Sequence, residues 1–213
     1  MLLNYVLKNT RNFVYKLKCI NNSNSSCFFY IFQRMVNQPN NIFSLAWLVS
    51  PCKISKNDWV KFQWSSDYSF IWAHTGLLTA DKTYDAGGSC ACSPTGNNLT
   101  TFELLDNVPT LSNPTTGGTD GSFTIQEGSS FPNNTYSTGI GMSGQGILAK
   151  QALVNTKQIY SSEYQYYIAT SDEEIEAGYI LEQSITCSPE IIYSNNIYDL
   201  TISLNIDNTW SIS

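Results

Sequence analysis

From Val14 onward the chain alternates apolar and polar side chains every second residue, the signature of strands with one buried face. The clearest case is Leu200-Thr-Ile-Ser-Leu-Asn-Ile206. It predicts Leu200, Ile202, Leu204 and Ile206 toward a core and Thr201, Ser203 and Asn205 toward solvent. Val14–Ile20 alternates, the Asn21–Ser26 cluster turns, and Cys27–Gln33 is expected to return as a hairpin. Ile42–Val49 reads as one continuous apolar strand ended by Ser50-Pro51. Val60–Trp64 and Tyr68–Trp72, joined by Ser65-Ser66-Asp67, read as a second pair of adjacent strands. That pairing would set the large rings Phe62, Trp64, Tyr68, Phe70 and Trp72 against one another.

Residues 85–119 carry Gly87-Gly88, Pro94, Pro109, Pro114 and Gly117-Gly118, which predicts loops with one strand near Leu99–Leu104. Further strands are expected at Ser122–Gln126, Thr138–Met142, Gly146–Leu153, Tyr164–Thr170, Tyr179–Gln183 and Trp210–Ile212. Helical patterning is confined to residues 2–12 and a turn at Ser171–Glu174 that resembles a capping box. Ten to twelve short strands with frequent turn residues predict an all-β fold. The expected form is a two-layer antiparallel β-sandwich with long loops and a short N-terminal extension. Residues 1–13 would be the basic extension and 14–213 a single sandwich domain.

Composition changes this picture mainly at the surface. Charged residues make up 13% of the 213, about half the usual ~25%, so Asn, Ser and Thr supply the polar exterior. Such a surface resists self-association weakly. The net charge of −6 hides an asymmetry, because residues 1–62 sum to +7 and residues 63–213 to −13. If folding keeps these groups on different faces, copies can meet head to tail, so a homo-oligomer or larger assembly is the expected partner state. An acidic chain with scattered basic residues excludes duplex nucleic acid as a partner. The longest apolar run, Cys27–Phe32, is far shorter than a membrane-crossing segment of ~18–20 residues.

Six cysteines (Cys19, Cys27, Cys52, Cys90, Cys92 and Cys187) stand without a secretory signal pattern, so free thiols in a cytoplasmic setting are expected. The acid-poor amphipathic start offers a mitochondrial alternative, if residues 1–13 act as a transit peptide. Cys90-Ala-Cys92 lacks the spacer of a zinc or redox motif, and the chain has one histidine, so no metal site and no cofactor are expected. The four Asn-x-Ser/Thr triplets arise by chance in so Asn- and Ser-rich a chain.

Several segments in order resemble the RhiA family of rhizosphere-expressed proteins. They are Tyr15-Lys-Leu-Lys-Cys-Ile-Asn-Asn-Ser23, Ser44-Leu-Ala-Trp47, Val60–Ala73 with Thr75-Gly76, Gly139-Ile-Gly-Met-Ser-Gly144 and Asp207-Asn-Thr-Trp210. The N-terminal extension, the Asn/Tyr/Ile-rich composition and the Cys90/Cys92 segment depart from that family. The resemblance implies a shared fold and carries no catalytic residues.

Candidate chemistry is sparse. Gly139–Gly144 spells G-x-G-x-x-G, but a strand follows it where a dinucleotide site needs a helix N-terminus, so tight β-packing explains the glycines. Ser143 lies near a G-x-S-x-G pattern broken by Gln145, and His74, the only imidazole base, follows a strand as an ordinary polar residue. The acidic run Asp172–Glu176, with Asp81 and Asp85, matches no calcium loop and reads as a solvated turn. No catalytic set emerges. Trp59, Tyr164, Tyr166 and Tyr167 are the expected ligand-binding residues, as exposed rings beside amide and hydroxyl loops. Two functions follow: a non-catalytic intracellular protein that self-associates or binds partners, as in a storage or inclusion assembly, or a lectin-like module taking a glycan or protein ligand.

Overall fold

A computed structural model describes residues 14–182 and 188–213. The basic extension, its helical pattern and Cys187 lie outside the described residues. Among the described residues there is no helix. Seventeen strands carry the fold, and the expected all-β, sandwich-like architecture is what the chain adopts.

In chain order the first six are β1 (Val14–Asn21), β2 (Phe28–Met35), β3 (Ile42–Ser44), β4 (Leu48–Val49), β5 (Trp59–Ser65) and β6 (Tyr68–Ala73). Then come β7 (Gly88–Cys92), β8 (Leu99–Leu105), β9 (Val108–Leu111), β10 (Ser122–Glu127), β11 (Ser137–Met142) and β12 (Gln145–Gln151). The last five are β13 (Lys157–Ser161), β14 (Tyr164–Ser171), β15 (Glu190–Ile191), β16 (Asp199–Leu204) and β17 (Trp210–Ile212).

They form four sheets, ordered β17-β16-β1-β5, β13-β10-β8-β9, β3-β12-β11-β6-β7 and β15-β14-β2-β4. All pairs are antiparallel except β1 with β16 and β10 with β8. One apolar cluster draws on every sheet: Leu17, Phe62 and Ile202 from the first, Phe102 and Phe123 from the second, Phe70 and Ile140 from the third, Phe29 and Ile168 from the fourth.

Alternation decides which way each sheet looks. On β1, β5 and β16 the aligned residues Leu17, Phe62 and Leu200 point inward, and so do Cys19, Val60 and Ile202. They meet Phe29, Ile31 and Ile168 of the β15-β14-β2-β4 sheet. The other side of β2 is also apolar, and Phe28, Tyr30 and Phe32 form a second cluster with Ile175 and Leu181. This double burial explains why Phe28–Phe32 is nearly continuous in apolar residues.

Two expected pairings and one expected strand are corrected. Strand β1 does not hairpin with β2 but pairs with β5 and β16. Asn21 is the reason: fully buried, it donates from Nδ2 to the Ile54 carbonyl (2.7 Å) and the Ser25 carbonyl (2.8 Å) and accepts from Ser23. That makes a corner between sheets rather than a two-residue turn. Strands β5 and β6 likewise belong to different sheets, and the Asp67 carbonyl at their corner accepts from the Ser143 amide (2.9 Å). Finally, Ile42–Val49 breaks at Leu45–Trp47, where the Leu45 amide bonds Ile147 O and the Ala46 amide bonds Tyr179 O. Trp47 turns into the core and donates Nε1–H to the Met142 carbonyl (2.8 Å).

Two smaller corrections concern exposure and loops. Leu200 is half-buried and Ile202 and Leu204 are buried as expected, but β16 ends at Leu204 and Ile206 sits in a turn, 62% exposed. The loop-rich stretch also contains β7 and β9. Asp106 and Asn107, both with positive φ, turn β8 into β9, and Pro109 is tolerated because β9 is an edge strand.

Candidate interaction surface

The outer side of the β17-β16-β1-β5 sheet is the most distinctive surface. Opposite the inward residues, Gln63, Lys61 and Trp59 of β5 lie beside Lys16, Lys18 and Ile20 of β1. Asp199, Thr201 and Ser203 of β16 continue the face, and Ser211 of β17 closes it. Three ammonium groups therefore share one flat face with a single carboxylate. Lys18 stands directly across from Lys61, a like-charge pair that destabilises a sheet on its own. Lys61 reaches Asp199 at 3.8 Å, and the Lys18 Nζ sits 4.9 Å from the Trp59 ring centroid. Trp59 is 52% exposed, a large ring held open by a cation on one side.

Strand β5 is also a sheet edge. The Asn21 amide bonds the Asp58 carbonyl, so by alternation Val60, Phe62 and Trp64 bond β1, and Lys61 and Gln63 turn their backbone groups outward. The ends of that edge are capped, the Trp59 amide by Asp58 Oδ1 (2.8 Å) and the Ser65 amide by Ser143 Oγ (3.4 Å).

Four carboxylates gather away from this face. Beyond the outer face of β2 and β14, a cleft of about 350 Å³ is rimmed by Asp81, Glu173, Glu174 and Glu182, with Tyr30 and Tyr179 among its walls. Tyr179 donates to Asp81 Oδ1 at 2.8 Å, and this bond to a carboxylate raises its hydroxyl pKa above the ordinary value. Tyr30 points away from the shared core, toward the second cluster, so the cleft and the lysine face look in opposite directions. A larger groove of about 740 Å³ runs past Ser69, Asp85, Ser89, Gln145 and Glu176, lined by polar groups and without an exposed ring.

The expected ligand residues do not come together. Trp59 is exposed on the lysine face, but Tyr164, Tyr166 and Tyr167 are half-buried on β14, in another sheet. Tyr164 and Tyr166 pack against the main cluster, Tyr166 at 5.7 Å from Trp64, because their side of β14 faces inward. Tyr167 looks the other way, stacked on Phe32 (5.3 Å, 19°) under the Arg34 guanidinium. Sequence reasoning overlooked Lys16, Lys18 and Lys61 as a group. Their spacing of two on one strand, with a third on the partner, is visible only once β1 and β5 are paired.

The remaining candidates are structural. Ser143 and Gly144, with φ of 51° and 81°, form the two-residue turn between β11 and β12, and a Cβ at Gly139 would lie 2.0 Å from the Leu148 carbonyl oxygen. His74 is exposed with its ring 5.1 Å from Tyr136. Glu127 is buried. Its Oε1 accepts from Thr138 (2.6 Å) and Gln158 (2.7 Å), its Oε2 from the Leu153 amide (2.6 Å). Burial raises its pKa to about 7, against those hydrogen bonds and the charge of Lys150. Cys19, Cys27, Cys52, Cys90 and Cys92 are free thiols. Among the described residues no three His, Cys, Asp or Glu side chains are placed to hold a metal ion, and no helix is long and apolar enough to cross a membrane.

Comparison with known proteins places the chain firmly. The family model RhiA matches residues 12–213. Protein RhiA of Rhizobium leguminosarum bv. viciae is 36% identical over 199 residues, covering 93% of this chain and 86% of the relative. No solved structure matches.

Proposed function

The chain belongs to the RhiA family, and on that footing we propose that it is a non-catalytic, self-associating protein whose copies meet head to tail. The lysine face around Trp59 docks on the acidic cleft of the next copy. The observation that carries this reading is the placement of the two patches, Lys16, Lys18 and Lys61 on one side and Asp81, Glu173, Glu174 and Glu182 on the other. The like-charged Lys18–Lys61 pair, with only Asp199 at 3.8 Å from Lys61, gains most from an arriving carboxylate. Two different patches that recognise each other form a heterologous contact, which yields rings or filaments rather than two-fold dimers.

Magnitudes keep the contact modest. Four strands ~4.8 Å apart and about six residues long offer roughly 300–400 Å² of face, well under the ~800 Å² per partner of a standard stable interface. Each exposed ion pair adds about 0–1 kcal/mol, so Trp59 and Ile20 must supply apolar contact. Association should therefore be weak, concentration-dependent and screened by salt over ~10 Å at 0.1 M. Light scattering at high protein concentration should show a larger species at low salt that shrinks toward monomer as salt rises. A monomer of constant size at every salt concentration overturns the proposal.

A second reading is carried by the exposed Trp59 ring on the same sheet face as the hydroxyls of Thr201, Ser203 and Ser211, a combination that suits a glycan. Lys18 already covers one face of that ring, which disfavours sugar stacking there. Retention on sugar-agarose that survives high salt, with loss in Trp59→Ala, would favour this second reading.

A further inference from the structure

Among the described residues every Phe, Tyr and Trp is buried or half-buried except Trp59. It stands at the end of the exposed turn 55–58, and its indole N–H makes no hydrogen bond there. We propose that this indole fills the acidic cleft of the next copy, which makes the cleft a pocket for a lysine-flanked tryptophan. The inference rests on the head-to-tail reading and names the side chain that anchors it.

The cleft has the right build for such a guest. Its volume of about 350 Å³ lies at the small end of the ~300–1,000 Å³ of pockets that enclose a ligand. It opens over the second apolar cluster, because Tyr30, Ile175 and Leu181 belong to that cluster and Tyr179 packs against it. Around these apolar walls stand Asp81, Glu173, Glu174 and Glu182. A pocket with apolar walls and a carboxylate rim selects a ring that carries cations beside it and disfavours an anion. The nearest basic groups are engaged elsewhere. Lys82 donates to the Leu77 carbonyl (3.1 Å), and the Arg34 guanidinium lies over the Phe32 and Tyr167 rings (5.4 and 5.6 Å).

Trp59 supplies the complement. The Lys18 ammonium sits 4.9 Å from its ring centroid, and Lys61 lies on the same face two residues along β5. The adjacent acid, Asp58, accepts from the Trp59 amide (2.8 Å). Seating the indole therefore brings two ammonium groups to the rim of carboxylates, with the indole N–H free to donate to one of them. Exposed ion pairs hold little by themselves, whereas a tryptophan desolvated at the centre of a contact is the usual energetic anchor.

The test uses full-length Trp59→Ala, which keeps the cleft and has no indole to place in it. Calorimetry at low salt follows its titration with the tripeptides Lys-Trp-Lys and Lys-Ala-Lys, which are equal in charge. Lys-Trp-Lys should saturate, and Lys-Ala-Lys should bind at least about tenfold more weakly. Adding Glu173→Gln and Glu174→Gln, both on the surface, should weaken Lys-Trp-Lys by about tenfold. In light scattering, Trp59→Ala should self-associate about thirtyfold more weakly than the wild type. Equal binding of the two tripeptides, no saturable binding of either, or Trp59→Ala assembling as the wild type does overturns the anchor and leaves charge-driven association standing. A wild type that stays monomeric at every salt concentration overturns the head-to-tail reading and this inference with it, even where Lys-Trp-Lys still binds.

Discussion

Glu127 makes the stability of this protein depend on pH in a direction opposite to the usual carboxylate. Burial lifts its pKa from 4.5 to about 7. A raised folded-state pKa means that folding favours the protonated acid. Its contribution is fully present below about pH 4.5 and is lost as pH rises through about 7. That rise in pKa, at about 1.36 kcal/mol per tenfold change in proton affinity, amounts to about 3 kcal/mol. Geometry agrees. The Thr138 hydroxyl has one proton but lies 2.6 Å from Glu127 Oε1 and 3.1 Å from Gln158 Oε1. Only when Glu127 carries a proton can both contacts be hydrogen bonds. Urea unfolding of the wild type and of Glu127→Gln across about pH 4.5–8 isolates the effect, because other groups cancel in the difference. The variant should be somewhat less stable at low pH, where its amide fits the network imperfectly, and more stable above neutral pH. With a urea slope of about 3 kcal/mol/M, the gap between the two midpoints should move by about 1 M across that range. Midpoints that keep a constant gap would refute the account of a protonated, desolvated carboxyl.

Two further tests probe the packing and the thiols. Gly139→Ala places a methyl 2.0 Å from the Leu148 carbonyl oxygen, whereas a Cβ at Gly96 meets nothing within 4 Å. Thermal melting should show a loss of about 3 kcal/mol for Gly139→Ala, or about 6–12 °C, against little change for Gly96→Ala; equal effects would contradict the strand register. A thiol reagent applied to folded protein prepared without reductant should label Cys52 first, because Cys19 and Cys27 are buried and burial raises the pKa of both. Labelling of Cys19 at the rate of Cys52 would show that β1 opens readily.

What could be read from the sequence was local. Period-two patterning located β1, β5, β6, β10, β14 and β16 within a few residues, because one buried face imposes it on each strand separately. Pairing was not legible. Neighbouring strands pair only about two-thirds of the time, and at Asn21 and at Ser65–Asp67 the chain turns a corner between sheets instead of a hairpin. The polar letters are alike in both cases, and only the buried Asn21 contacts to residues 23, 25 and 54 distinguish a corner. The candidate surface failed to appear for the same reason. Trp59 was identifiable as an exposed ring, but Lys18 and Lys61 are forty-three positions apart and become neighbours only through the β1–β5 register. Tyr164 and Tyr166 are half-buried where exposure was expected, because an alternating tyrosine strand looks identical whichever face is covered.

Head-to-tail association is tested most directly by complementation between two charge-reversed chains. Lys18→Glu with Lys61→Glu spoils the basic face and keeps the acidic cleft; Glu173→Lys with Glu174→Lys does the reverse. All four side chains are on the surface, so each chain should fold and each alone should remain monomeric at low salt. Mixed in equal amounts, they should assemble with the two chains alternating, because the native pair of patches and the doubly reversed pair are both opposite in charge. That assembly should dissolve as salt rises. Both variants assembling as the wild type does, or a mixture that stays monomeric while the wild type assembles, would contradict it.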